Sequence, residues 1–155
     1  MNPNGKIPIL ILDDGRILSE SNAILNFLAE GSDLIPKDHF EKAKVLQWQF
    51  FEQYSHEPYI AVARFIRHYL GIPEERRAEY ESKQEGGHKA LRVMETQLTK
   101  NKFLVGDSLT TADISLFAYT HVAHEGGFDL SSYPKVLEWI KRIESLDRFK
   151  PMNSI

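Results

Sequence analysis

The chain has no cysteine among its 155 residues, which removes disulfides, a thiolate nucleophile and any cysteine-based zinc or iron-sulfur site. It has no excess of one charge either: 19 Lys and Arg stand against 22 Asp and Glu, a net charge of −3. The basic residues are scattered along the chain and not massed into a stripe, so nucleic acid is not an expected partner. Long apolar runs are missing. Runs such as Ile9 to Leu12 fall far below the roughly 18 residues that suggest a membrane span. The opening Met-Asn-Pro-Asn-Gly-Lys has no apolar stretch behind a basic start, so no secretory leader is expected. What is present, 42% hydrophobic and 26% charged residues, is the composition of a folded globule. With no cysteine, it suits the cytoplasm.

The first thirty residues read differently from the rest. Ile7 to Leu12 is β-branched and aliphatic, Asp13-Asp14-Gly15-Arg16 is a turn signal, and Ile17-Leu18 resumes the apolar character, which predicts a short β-hairpin. The period then changes. Ala23, Ile24, Phe27 and Leu28 have the spacing of a helix with one buried face. Gly31-Ser32-Asp33 ends that helix and Pro36 opposes its resumption, so residues 31–37 form a predicted linker between a unit at 1–30 and another at 38–155. The second unit has no convincing strand. An aromatic-rich helical pattern runs from about His39 to Leu70, where Pro58 is predicted to introduce a kink. A second helix runs from about Glu74 to Leu98, locally weakened by Gly86-Gly87. A third starts near Thr111 and ends before Gly126-Gly127. A fourth, from about Pro134 to Ser145, has Pro in its first turn and buries Val136, Leu137, Ile140 and Ile143. The predicted fold class is mostly α, a hairpin plus helix followed by a helical bundle.

Several residues invite a chemical reading. Thr110 and Asp113 have the spacing of a capping box flanked by Leu109 and Ile114, and the role this predicts is structural. Glu20-Ser21 sits where a strand hands over to a helix. Ser21 is a predicted N-cap at the positive end of the dipole, a place that can hold a carboxylate, and Glu20 beside it suits a ligand that also carries an amine. Simple capping explains the same pair. Ile7-Pro8 opens a strand, where a cis bond would be a specific feature, although composition alone favours trans. His56-Glu57 begins the His-Glu-x-x-His pattern of zinc proteases, but position 60 is Ile, so that reading is rejected. His121 and His124 lie three apart without a completing carboxylate and read as ordinary helix residues. No metal site is expected. Phe51, Tyr54 and Tyr59 exceed what one helix face buries, and predict a ligand pocket or a subunit contact.

Taken in order, Asn2-Pro3-Asn4-Gly5-Lys6-Ile7-Pro8, Asp13-Asp14-Gly15, Glu20-Ser21-Asn22-Ala23-Ile24-Leu25, Asp33-Leu34-Ile35-Pro36 and Leu104 through Ile114 resemble the glutathione transferase superfamily, bacterial-type cytosolic members in particular. The resemblance implies a partial thioredoxin-like, glutathione-binding hairpin and helix followed by an all-helical domain. It implies a cis bond before Pro8, a backbone pairing of Ile7 with the cysteinyl part of glutathione, and a grip of Glu20 and Ser21 on its γ-glutamyl end. The stretch Phe50 to Tyr59 is similar to one that borders the cleft for the hydrophobic co-substrate, which places Phe51, Tyr54 and Tyr59 there. Glutathione enters as co-substrate, with no other cofactor; a small apolar electrophile is the second partner, and a homodimer is expected. Family members begin with a strand-helix-strand unit carrying the Tyr, Ser or Cys that acts on the glutathione sulfur. This chain starts after it, so no residue takes that role by motif, and the hairpin is expected to present an unpaired strand edge. The function implied is conjugation of glutathione to small apolar electrophiles. A non-catalytic interaction module and a glutathione-dependent reductase or isomerase use the same motifs.

Overall fold

The computed structural model describes residues 2–151. Strands β1 (Ile9–Ile11) and β2 (Ile17–Ser19) form a two-stranded antiparallel sheet in which Ile9 faces Ser19, Leu10 faces Leu18 and Ile11 faces Ile17. Gly15, at φ +84°, supplies the left-handed conformation of the turn, and the Asp14 carboxylate accepts from the Arg16 amide at 3.1 Å, an Asx pattern suited to this position. Helix α1 (Ser21–Ala29) follows directly. The chain then crosses to α2 (His39–Phe51), where Asp38 is the N-cap and its carboxylate accepts from the amides of Phe40 and Glu41.

The predicted kink at Pro58 takes a different form. After α2 a π-helical turn spans Glu52–His56, α3 covers Glu57–Arg64, and a second π turn covers Phe65–Tyr69. A proline within a helix lacks the amide for its own turn, and its ring meets the carbonyl four residues earlier. Here the wider turn absorbs both problems. The Glu57 amide reaches back to the Glu52 carbonyl, and Pro58 sits in the opening turn of α3. The rod therefore continues from His39 to Tyr69 without a break in helical structure.

Helix α4 (Arg77–Leu98) follows a short 3-10 turn at Glu74–Arg76. Its glycine pair does more than weaken it. A β-carbon at Gly86 would lie 2.2 Å from the Tyr59 ring, and one at Gly87 would lie 2.3 Å from the Phe128 ring. Two aromatic rings thus lie against bare helix backbone, a close approach that only glycine permits. Helix α5 (Thr111–Thr120) ends earlier than predicted, and a 3-10 turn at Ala123–Gly126 carries the chain to Gly127, at φ +94°. Helix α6 (Pro134–Glu144) completes the bundle.

The core sits between α3, α4, α5 and α6 and includes fully buried Ile60, Leu91, Met94, Leu104, Leu116, Val136 and Trp139. One carboxylate lies inside it. Asp113, with 0% of its surface exposed, accepts from the amides of Leu104 and Thr110, the Thr110 hydroxyl and the Trp139 indole, all at 2.9 to 3.0 Å. The capping box of Thr110 and Asp113 is present, and the same carboxylate also ties the loop at Leu104 and helix α6 to α5. Burial raises the Asp113 pKa, opposed by those four donors. The architecture is the predicted one, mostly helical with a small hairpin at its start. Among the described residues no helix is long and apolar enough to cross a membrane.

Candidate functional site

The hairpin register builds the site. Because Ile9 pairs with Ser19, the segments just outside that pair, Ile7-Pro8 and Glu20-Ser21, emerge side by side at the open end of the sheet. The Ile7-Pro8 bond is cis. Ile7 is 91% exposed, and among the described residues its backbone has no hydrogen bond. The preceding loop is held by the Asn2 side chain, which donates to the Lys6 carbonyl at 2.8 Å and accepts from the Asn4 amide at 3.0 Å.

Ser21 is not the N-cap that its position suggests. It is the first residue of α1, and the cap is Glu20, at φ 71° and ψ 114°, with no side-chain hydrogen bond to the helix. A non-glycine residue at positive φ is uncommon, and this ψ lies beyond the small left-handed basin. Such backbone strain tends to persist where function requires it. Its consequence is chemical. With no side chain satisfying them, the first amides of α1 and the Ser21 hydroxyl lie at the positive end of the helix, an arrangement suited to a carboxylate. Glu20, Ser21, Asn22, Ala23, Phe50 and Gln53 are among the residues lining a cavity of about 320 Å³ between α1 and α2.

Beneath it lies a polar network that periodicity and motifs did not reveal. Asn22 donates to the Glu52 carboxylate at 3.2 Å and accepts from the Ser115 hydroxyl at 2.5 Å. Asn26 and Gln49 exchange two side-chain bonds, at 2.7 and 3.1 Å, and the Thr111 hydroxyl donates to Asn26 at 2.8 Å. Glu52, 4% exposed, has its pKa raised, first by burial and to a lesser extent by Glu57, against the hydrogen bonds from Gln53 and Asn22. The signal was available in two polar pairs one helical turn apart, Asn22 with Asn26 and Thr111 with Ser115, which put polar groups on facing sides of α1 and α5.

The three aromatic candidates do not share one pocket. Phe51 meets Trp48 edge-on at 5.2 Å and lines a cavity between α2 and α4. Tyr54 is 88% exposed, and the Tyr59 ring lies against Gly86. A different cavity, of about 390 Å³, includes Glu57, Val62, Phe65, Tyr69, Arg76 and Tyr119 in its walls. Burial raises the pKa of Glu57 in its wall, opposed by the charges of Lys6 and Lys83. The rejected zinc motif has a structural explanation. His56 is fully buried, its Nε2 lies 2.8 Å from the Thr120 hydroxyl, and burial lowers its pKa to about 3. His121 stacks on Phe117. Among the described residues no cluster of three potential metal ligands occurs.

The model of the glutathione S-transferase C-terminal domain matches residues 43–147, and that of the N-terminal domain matches residues 1–30. The chain belongs to the glutathione S-transferase family. A solved glutathione S-transferase from Pseudomonas fluorescens is 62% identical, with a TM-score of 0.96, over 97% of this chain and 75% of that one. Glutathione S-transferase F10 of Arabidopsis thaliana is 35% identical over 77% of this chain, and glutathione S-transferase 2 of Anopheles gambiae is 34% identical over 90%. The chain spans 59% and 66% of the length of those two relatives. For this family member, the motifs at Pro8, Glu20-Ser21 and Asp113 all fall within the two matched regions.

Proposed function

We propose that this chain carries the glutathione-holding part of a transferase site and the wall against which a small electrophile rests. Residues 1–30 form the glutathione-binding part, 31–37 the linker and 38–155 the helical domain. The observation that carries the reading is the register that sets the unpaired backbone of Ile7 beside the strained Glu20 and the uncapped start of α1. Ile7 would pair with the cysteinyl backbone, Ser21 and the first amides of α1 would take the γ-glutamyl carboxylate, and Glu20 would take the amine. The reaction is attack of the glutathione thiolate on an electrophilic carbon. It needs a hydrogen-bond donor that lowers the thiol pKa from about 8.5 toward neutrality, and none of the residues named here is assigned that role. The electrophile would rest in the cavity between Glu57 and Tyr119, whose walls do not include Phe51, Tyr54 or Tyr59.

The solvent-facing row Leu46, Phe50 and Tyr54 on the α2 rod, 46%, 71% and 88% exposed, fits burial against a second copy, so we read the working form as a homodimer. The cytoplasm is the compartment this reading places it in. Calorimetric titration of the chain with glutathione tests the assignment. Binding that Ser21→Ala weakens at least tenfold, with unchanged thermal unfolding, is the expected result. An intact fold that takes no glutathione would favour the interaction-module reading.

A further inference from the structure

The loop before Pro8 carries a reactive pair that the binding reading does not use, Asn4-Gly5. The amide nitrogen of the next residue can attack an asparagine carboxamide when that nitrogen carries a hydrogen, no side chain crowds it and the carboxamide is free to turn. Among the described residues every asparagine but one fails a condition. Asn2 precedes Pro3, whose nitrogen has no hydrogen, and its side chain is bonded at both ends, to the Lys6 carbonyl and the Asn4 amide. Asn22 and Asn26 lie in α1 with their carboxamides bonded into the network beneath the site. Asn101 has a free carboxamide, but Lys102 after it sets a β-carbon beside the nitrogen. Asn4 meets every condition. It is exposed, no hydrogen bond reaches its carboxamide among the described residues, and Gly5 stands at φ +65° with open space where a side chain would be.

We propose that Asn4 is a site of spontaneous deamidation, and that the change loosens the loop that sets Ile7. The Gly5 nitrogen bonds to Cγ of Asn4, the Cγ–Nδ2 bond breaks, and ammonia leaves with the proton that the nitrogen gave up. The product is a cyclic imide. Water then opens the imide at one carbonyl or the other. One opening gives aspartate with the original main chain. The other gives isoaspartate, in which the chain runs through Cβ and Cγ and is longer by a single atom. One water is consumed and one ammonia released, with nothing oxidised or reduced. The Gly5 amide donates to the Asn2 carbonyl at 3.0 Å, and this bond of an exposed turn must open first, as exposed backbone bonds readily do.

The loop has little slack for that added atom. Asn2 accepts from the Asn4 and Gly5 amides and donates to the Lys6 carbonyl. The Gly5 and Lys6 bonds both span the altered link between residues 4 and 5, so isoaspartate cannot keep the two together. Ile7 follows directly. Its backbone moves with the loop, and the grip on the cysteinyl part of glutathione weakens, a consequence that rests on the function proposed above. Aspartate at position 4 leaves the main chain intact and adds only a charge two residues from Lys6. The site therefore ages by its own chemistry, with water as the only reactant.

The test incubates the whole chain in warm, mildly alkaline buffer, where the attacking nitrogen loses its proton more often, and follows each asparagine by peptide mass spectrometry and enzymatic isoaspartate detection. Asn4 should convert at least roughly tenfold faster than Asn101, with isoaspartate among the products. Asn4→Gln, whose longer side chain needs a larger and slower-forming ring, should keep its mass at that position and melt as the parent does. In the isoaspartate form the Lys6 and Ile7 amide resonances should shift, while those of α5 stay in place. Its affinity for glutathione should fall roughly fivefold, the worth of about one hydrogen bond. Conversion at Asn4 no faster than at Asn101, or equally fast conversion in Asn4→Gln, overturns the proposal. So do Ile7 resonances that isoaspartate leaves unmoved, or an unchanged affinity for glutathione. If the fresh chain takes no glutathione while Asn4 converts and Ile7 shifts, the modification stands and the transferase reading falls.

Discussion

Asp113 and Glu52 are both buried carboxylates with raised pKa values, and they do opposite jobs. Asp113 receives four donors from a loop, its own helix start and α6. It is saturated and lies wholly within the bundle. Glu52 receives two amide donors, from Asn22 and Gln53, and lies at the seam where α1 meets α2 and α5. A carboxylate in a saturated knot specifies one arrangement, because any other strands several donors at once. A carboxylate with spare acceptor sites under a seam holds the joint with less force. The bundle is thus anchored internally, while the hairpin and α1 are fastened to it through side-chain amides and hydroxyls.

The largest effect should come from the knot. Asp113→Ala leaves two buried amides and the indole of Trp139 without an acceptor, and should cost about 3 to 4 kcal/mol in urea unfolding. A loss near that of an ordinary helix cap, about 1 kcal/mol, would mean the carboxylate serves the cap alone and the comparison fails. Asn26→Ala should cost less, about 1 to 2 kcal/mol, because it removes two of the side-chain bonds of Gln49, only 3% exposed, and leaves it the longer one to Ser115. Amide exchange sharpens the point: protection in α1 and the hairpin should fall more than in α5 or α6, and a uniform fall would mean that no seam exists.

Glu52→Gln should have the smallest effect at neutral pH, a slight gain in melting temperature or none, since the amide keeps an acceptor oxygen and sheds a buried charge. The effect depends on pH. Glu52 has a folded-state pKa above its ordinary value of 4.5, so the native chain binds that proton at a higher pH than the unfolded chain does. Stability relative to Glu52→Gln therefore rises as pH falls through the raised value, and levels off below 4.5. A difference between the two melting curves that stays flat from pH 7 to about pH 4 would remove Glu52 from the comparison.

Much of the fold was legible because it rests on local signals. The hairpin turn at Asp14-Gly15, the start of α6 at Pro134 and the Thr110-Asp113 pair are each set within a few residues of sequence. The reach of Asp113 to Leu104 and Trp139 was not, since the chain passes through other elements before α6 returns to it. The Gly86-Gly87 pair looked like a weakness for the same reason: the rings that need the space, Tyr59 and Phe128, come from elsewhere in the chain. At the candidate site the residue types were readable at Glu20-Ser21, while the shift of the cap from Ser21 to Glu20 depends on a strained backbone that no propensity favours. The aromatic residues on the α2 rod were visible as a surplus, but which ones share a cavity depends on how the π turns phase the rod.

Those π turns couple two quantities that look independent in an alignment. A turn closed by a bond five residues back holds one residue more than a turn closed four back. The stretch Glu52–His56 is therefore a place where the rod could lose one residue and keep every later side chain on its present face. The shortened turn would then press Pro58 against the carbonyl four residues before it. Length between Phe51 and Glu57 and the identity of residue 58 form a single variable: a relative one residue shorter here should carry something other than proline at the equivalent position.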